Sequence, residues 1–254
     1  MTYTIIGTGN MAWFLGSRLN GAGFECKAVY GRNEVEALQL SESMNAPALS
    51  DLAALPETDC CIITVSDSVI PEITENIHLQ NTVVIHTAGS VSLDVISQKD
   101  KAVLWCIYSI NKKNLPYHTG IPAVYEASTE KARKTVLEIA SVISDIISEA
   151  NFEQRQWLHL CAVISNNFTN HLMAICEKIC DEQQLPFSLL QPILKQTFRN
   201  IDASSPASLQ TGPARRNDIG TTKEHLTLLA AHPLWQQLYQ VLTKSIEDMY
   251  SKKK

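Results

Sequence analysis

Apolar and polar positions follow two different patterns, and the change falls near residue 151. Before it, apolar runs of strand length end in small or polar residues: "YTII" at 3–6, "ECKAVY" at 25–30, "DCCIITV" at 59–65, "NTVVIH" at 81–86, "AVLWCIY" at 102–108 and "IPAVYEA" at 121–127. Continuous apolar runs of this kind predict parallel strands buried on both faces. Helical stretches lie between them. "NMAWFLGSRLNGAG" closes on Gly21 and Gly23, and "STEKARKTVLEIASVIS" places Ala132, Val136, Ile139 and Ile143 on one stripe after a Ser/Thr start. Strands alternating with helices predict a doubly wound, mostly parallel sheet.

After Asn151 everything reads as helix, so residues 1–151 and 152–254 are expected to form an α/β domain and an all-α domain. The longest element is "EQRQWLHLCAVISNNFTNHLMAICEKICDEQ", with no Asp, Glu, Lys or Arg from Gln156 to Cys176. Such a helix is expected to be buried nearly all round. On a 3.6-residue wheel Leu160, Ile164, Phe168, Leu172 and Ile179 share one face, and His159, Asn166 and Asn170 share the opposite one. A solvated face usually carries Glu and Lys, so these amides and the imidazole predict buried polar groups with partners. Those partners are either structural, in a helix or subunit interface, or substrate. His171 reads as a core histidine. "LPFSLLQPILKQTFRNI" is the next helix, and Asp218 or Thr221 caps another, with Glu224 completing a capping box from Thr221. Arg215 and Arg216 beside a Gly-Pro turn are either an anion site or a solvated loop. The last helix opens with Pro233 and lines up Trp235, Leu238, Tyr239, Leu242, Ile246 and Met249. One helical layer cannot cover both apolar stripes, so a homodimer through the C-terminal helices is expected.

Composition narrows the partners. Hydrophobic residues make up 45% and charged residues 19% of the 254, with a net charge of −5. The C-terminal "SKKK" is the one basic block and reads as a solvated tail, so nucleic acid is not an expected partner. Seven cysteines in apolar surroundings suit free thiols in a reducing cytoplasm. Cys176 and Cys180 have helical spacing but no second ligand pair, so no metal is expected. The first strand starts at about residue 2, which leaves no room for a signal peptide, and no apolar run is long enough to span a bilayer. The expectation is a cytoplasmic protein without a membrane partner.

Candidate chemistry concentrates at strand ends. The string Gly7, Thr8, Gly9, Asn10, Met11, Ala12 has the form Gly-x-Gly-x-x-Ala between a strand and a helix. Gly7 permits the tight turn, Gly9 lets the backbone approach a pyrophosphate, and Ala12 lets the helix pack on the strand; the helix N-terminus attracts the phosphates. The other reading is a glycine turn in some other α/β unit. The second strand ends in Gly31, Arg32 and Asn33, without the acidic residue that holds the ribose hydroxyls of NAD. Arg32 either pairs with a 2′-phosphate and stacks on adenine, which selects NADP, or faces solvent. Val65, Ser66 and Asp67, then His86, Thr87, Ala88, Gly89 and Ser90, follow buried strands and are expected near the cofactor.

Four segments carry a family resemblance: "GTGNMA", "IHTAGSVSLDVI", "RQWLHLCAVISNNFTNHL" and "LQTGPARRNDIGTTKEHL". With them the chain resembles Rossmann-like NADP oxidoreductases whose C-terminal half is domain of unknown function 2520. More widely it is similar to 6-phosphogluconate-dehydrogenase-like and pyrroline-carboxylate-reductase-like enzymes. The resemblance implies a Rossmann domain, NADP as cofactor and a helical domain that often forms the dimer; it leaves a deazaflavin open as electron partner. Two departures stand out. Cys106, Ile107 and Tyr108 replace the family's Pro-Leu-Gln segment, and Val163 stands where related dehydrogenases carry a catalytic lysine, Asn167 matching their asparagine. The expected activity is hydride transfer to or from a small polar substrate bound between the domains. Its candidate residues are His159, Asn166, Asn170, Arg215, Asp218 and His225, and the proton donor is His159, His225 or a bound water. The alternative is an NADP-binding sensor or partner module without turnover. If Arg32 reads the 2′-phosphate, NADPH binds at least about tenfold more tightly than NADH, or about 1.4 kcal/mol. A fluorescence titration of Arg32→Asp then shows that preference erased; equal affinities in the unmutated protein contradict the assignment.

Overall fold

The computed structural model describes residues 1–250; the "SKKK" segment read above as a solvated tail lies outside the described residues. Two compact units divide the chain, Met1–Asn166 and the part from Asn167 onward. The first contains β1 (Thr2–Ile6), α1 (Asn10–Gly21), β2 (Glu25–Tyr30), α2 (Glu34–Ser43), β3 (Ala48–Leu49), β4 (Cys60–Ile63), α3 (Ile70–Asn76), β5 (Val83–His86), β6 (Lys101–Cys106), β7 (Ala123–Ala127), α4 (Glu130–Ile143), β8 (Ile147–Glu149) and α5 (Phe152–Ala162). The strands form one sheet in the order β3-β2-β1-β4-β5-β6-β7-β8. All neighbours are parallel except β6 and β7, which pair antiparallel with Leu104 opposite Tyr125. This is the doubly wound α/β architecture expected from the alternation.

The sheet is buried on both faces because its strands are apolar at successive positions, and successive side chains point to opposite sides. Tyr3, Ile5, Cys60, Ile62, Val83, Ile85, Ala102 and Leu104 feed one core, which α1 and α4 complete with Phe14, Leu15, Leu19, Val136, Ile139 and Ile143. Ile6, Cys61, Ile63, Val84, Val103 and Trp105 feed the other, which α3 covers with Ile70 and Ile73. The chain order reverses at β1, whose neighbours β2 and β4 are reached in opposite directions. Helices α2, α4 and α5 begin on Asn33, Thr129 and Asn151, whose side chains accept from backbone N–H groups of the first turn.

The second unit is helical: α6 (Thr169–Glu182), α7 (Gln191–Ala203), α8 (Pro206–Leu209), α9 (Pro213–Arg216), α10 (Ile219–Leu228) and α11 (Pro233–Tyr250). The long uncharged element departs from expectation in two ways. It is not one α-helix, since Val163–Phe168 forms a π-helical segment between α5 and α6. The wider π turn rotates every later residue, so a 3.6-residue wheel drawn through it does not describe its faces. Nor is it buried all round. Trp157, Ile164 and Phe168 are 63%, 52% and 57% exposed, and His171, read as a core histidine, lies on the surface. Ile175 is the one buried residue among the described residues from Asn167 on. None of the helices in the described residues is long and apolar enough to cross a membrane.

The pattern changes at 151, yet α5 belongs to the first unit, and Arg155 is the reason. Its side chain is fully buried. It pairs with the Glu126 carboxylate on β7, donates to the Val91 carbonyl at 2.9 Å and reaches the Ala150 carbonyl at 3.3 Å. His86 at the end of β5 is also fully buried, so its imidazole faces the core and not a surface ligand. The strand that carries it is covered on both faces, and its Nδ1 accepts instead from the Ala88 N–H at 3.3 Å. Burial, and then the Arg155 charge, lower its pKa to about 4. A histidine depressed in the folded state contributes stability above its unfolded value near 6.5 and loses it as pH falls toward 4. Urea unfolding at pH 7 and pH 4.5 should show the wild type losing roughly 2 kcal/mol more than His86→Leu across that interval. Equal losses in the two proteins contradict the buried, neutral state of His86.

Candidate functional site

An open cleft of about 290 Å³ lies at the carboxyl ends of β1, β2 and β4. Ligands in open α/β sheets bind at such a reversal of strand order. Gly7, Thr8 and Gly9 line it from β1, Arg32 and Asn33 from β2, and Val65 and Ser66 from β4. Gly7 has φ +118°, and a Cβ there would stand 2.7 Å from Thr64 Oγ1, so the turn requires glycine. A Cβ on Gly9 would meet nothing within 4 Å, which leaves open space over the loop. Behind it α1 starts without a side-chain cap, unlike α2, α4 and α5. Its first-turn N–H groups therefore keep their capacity for an anion. Ala12 is fully buried where α1 crosses the sheet, and Met11 packs against the same core. A glycine turn, free helix N–H groups and Arg32 at the rim together fit the phosphates of a dinucleotide.

Two groups in this region, Glu36 and Lys112, escaped the sequence reading. The Thr8 hydroxyl donates to Glu36 Oε2 at 2.9 Å, and Lys112 Nζ lies 3.1 Å from Glu36 Oε1. Lys112 comes from the connection between β6 and β7, and its backbone N–H donates to Asn10 Oδ1 at 3.0 Å. The hydrogen bond from Lys112 first, then the one from the Thr8 hydroxyl, and then the Lys112 charge hold the Glu36 carboxyl below the usual carboxylate range. Nothing in the sequence joins positions so far apart; the sheet does.

Further along the strand ends a second cluster forms. The Thr87 hydroxyl donates to the Ile63 carbonyl at 3.3 Å, Ala88 is buried, and Ser90 hydrogen-bonds Asp67. A Cβ on Gly89 would stand 2.5 Å from the Trp105 ring, so this loop lies flat on the indole. The His159 ring packs against Trp105, 5.7 Å between centroids. Asn166 Nδ2 donates to Ser109 Oγ at 3.1 Å. The structure thus brings His159 and Asn166 to the carboxyl side of the sheet. Asn170 lies exposed on α6 in the second unit.

The other three catalytic candidates lie in the helical unit, each with a local partner. Arg215 donates to the Tyr250 carbonyl at 3.2 Å and packs 4.9 Å over its ring. Asp218 caps α10, accepting from the Thr221 N–H at 3.1 Å and its hydroxyl at 2.8 Å, which decides between the two caps read from sequence. His225 Nδ1 lies 2.8 Å from the Tyr239 hydroxyl.

Two family models match the chain. Residues 2–89 match NADP oxidoreductase, coenzyme F420-dependent, and residues 121–246 match the domain of unknown function DUF2520. Among solved structures, one described as "putative NADP oxidoreductase BF3122" from Bacteroides fragilis is 32% identical, covering 97% of this chain and 98% of that one at a TM-score of 0.87. Protein TM1727 from Thermotoga maritima is 22% identical over 98% of both chains at a TM-score of 0.76. An imine reductase from Myxococcus stipitatus, solved with NADP+, is 13% identical over 98% of this chain and 93% of that one at a TM-score of 0.69. The last two establish the fold. No curated protein sequence matches. At 32% identity over nearly the whole length, with the dinucleotide cleft in place, the chain belongs to the NADP oxidoreductases that pair a Rossmann domain with DUF2520.

Proposed function

We propose that the protein is an NADPH-dependent reductase acting on a small polar substrate with a C=O or C=N bond, bound beside Gly89, Trp105 and His159. The observation that carries this reading is the placement of His159 against Trp105, above a loop that Gly89 keeps close to the indole. The bound cofactor supplies the hydride; the protein must orient the acceptor and manage one proton. His159 is the ionisable side chain packed beside Trp105 and takes the proton-donor role left by Val163 at the lysine position. Asn166 has no useful acidity, so with Ser109 it orients and polarises the acceptor by hydrogen bonding. Val163 also favours the second reading, an NADP-binding sensor without turnover. A panel of carbonyl and imine substrates assayed by NADPH oxidation separates the two: turnover supports the reductase, and tight NADPH binding with no turnover across the panel supports the sensor. A reducing cytoplasm belongs to this proposal, supported by the buried free thiols of Cys26, Cys60, Cys61 and Cys106.

The same reading makes Asn166 and Asn170 unequal. Asn166 is exposed and bonded to a loop hydroxyl, so Asn166→Ala should leave the melting temperature within about 2 °C while lowering kcat/KM at least about tenfold. Asn170→Ala should change neither strongly. Loss of stability without loss of turnover in Asn166→Ala removes it from the site.

We also propose that the protein works as a homodimer through its C-terminal helices. Leu189, Ile193, Leu234 and Val241 are 69%, 60%, 78% and 60% exposed, on helices that bury no residue completely. Helices with apolar stripes derive their stability from covering them, and a second copy offers a self-complementary cover. Light scattering at micromolar concentration should report about twice the mass of one chain, and a clean monomer contradicts this.

A further inference from the structure

Glu36 poses a problem for a phosphate-binding cleft. Its carboxylate lines the same space as Arg32 and Asn33, from the first turn of α2. A carboxylate there repels a 2′-phosphate and suits the ribose hydroxyls of NAD instead. With Arg32 and Glu36 alone, the two side-chain charges at this end of the cleft cancel.

The balance changes with Lys112. The connection between β6 and β7 is tied to the start of α1 by the bond from Lys112 N–H to Asn10 Oδ1. That tie delivers Nζ to Glu36 at 3.1 Å, while Thr8 of the glycine loop engages the other carboxylate oxygen at 2.9 Å. Both Glu36 oxygens are therefore turned toward protein donors. Arg32, Glu36 and Lys112 together carry one net positive charge.

We propose that Lys112 is a specificity-determining residue: by neutralising Glu36, it leaves Arg32 free to select the 2′-phosphate of NADPH over the bare ribose of NADH. This rests on the reading that NADP occupies the cleft with its 2′-phosphate at Arg32. The role is indirect, through Glu36, so the pair must behave as a unit. Lys112 and Glu36 are both partly exposed, with side chains 37% and 40% accessible, and their variants are expected to fold.

The test measures NADPH and NADH dissociation constants on the full chain for Lys112→Ala, Lys112→Arg, Glu36→Gln and the Lys112→Ala/Glu36→Gln double variant, with a thermal melt of each. Lys112→Ala should weaken NADPH at least about tenfold and NADH less than about threefold. Lys112→Arg should keep the preference. The double variant should return NADPH affinity to within about threefold of the wild type, because removing the carboxylate removes the need for its partner. An unchanged NADPH/NADH ratio in Lys112→Ala, or a double variant as weak as Lys112→Ala, overturns the proposal. A preference that survives Lys112→Ala but disappears in Arg32→Asp overturns it while leaving the NADP reading intact. No preference in the unmutated protein removes that reading, and this proposal with it.

Discussion

A fully buried arginine holds the candidate active site together. Arg155 ties the first turn of α5 to β7 through Glu126 and to the loop after β5 through the Val91 carbonyl. His159 stands four residues later, one helical turn on, and is thereby set against Trp105. Removing one partner of a buried pair leaves a charge without compensation, a loss of about 3–5 kcal/mol. Such a pair is a costly way to hold a helix. Its value here is positional: it fixes which face of α5 meets the sheet, and so where an imidazole stands relative to the strand ends.

The rest of the site follows from the sheet. Parallel strands bring the ends of β1, β2, β4 and β5 to one side, and each contributes a polar or charged residue there: Thr8, Arg32, Ser66 and Thr87. Gly7 and Gly89 do different work in this arrangement. Gly7 needs a left-handed backbone beside Thr64, whereas Gly89 needs the absence of a side chain against an indole. One shapes the turn after β1; the other closes the loop onto Trp105.

Much of this was legible in the sequence because it is local. The glycine string, Arg32 after β2 and the buried apolar runs are contiguous, and periodicity carries them. What is not local was missed. Glu36 and Lys112 meet only because the β6–β7 connection returns to α1. Arg155 looks like an ordinary surface arginine in a sequence, and its burial depends on Glu126 from another strand. His86 reads as a ligand at a strand end, yet the layers on both faces of β5 enclose it. The wheel of the long helix failed for a physical reason too: six residues in π geometry change the angular step on which any wheel depends.

The central claim is that NADPH lies along the strand ends with its phosphates on the glycine loop and its reactive ring toward Trp105. A crystal structure of the NADPH complex tests it most directly. The account predicts the pyrophosphate on the N–H groups that open α1, the 2′-phosphate paired with Arg32, and the nicotinamide against the Gly89 loop within reach of His159. A 2′-phosphate in solvent away from Arg32, or a nicotinamide remote from Trp105 and His159, contradicts it.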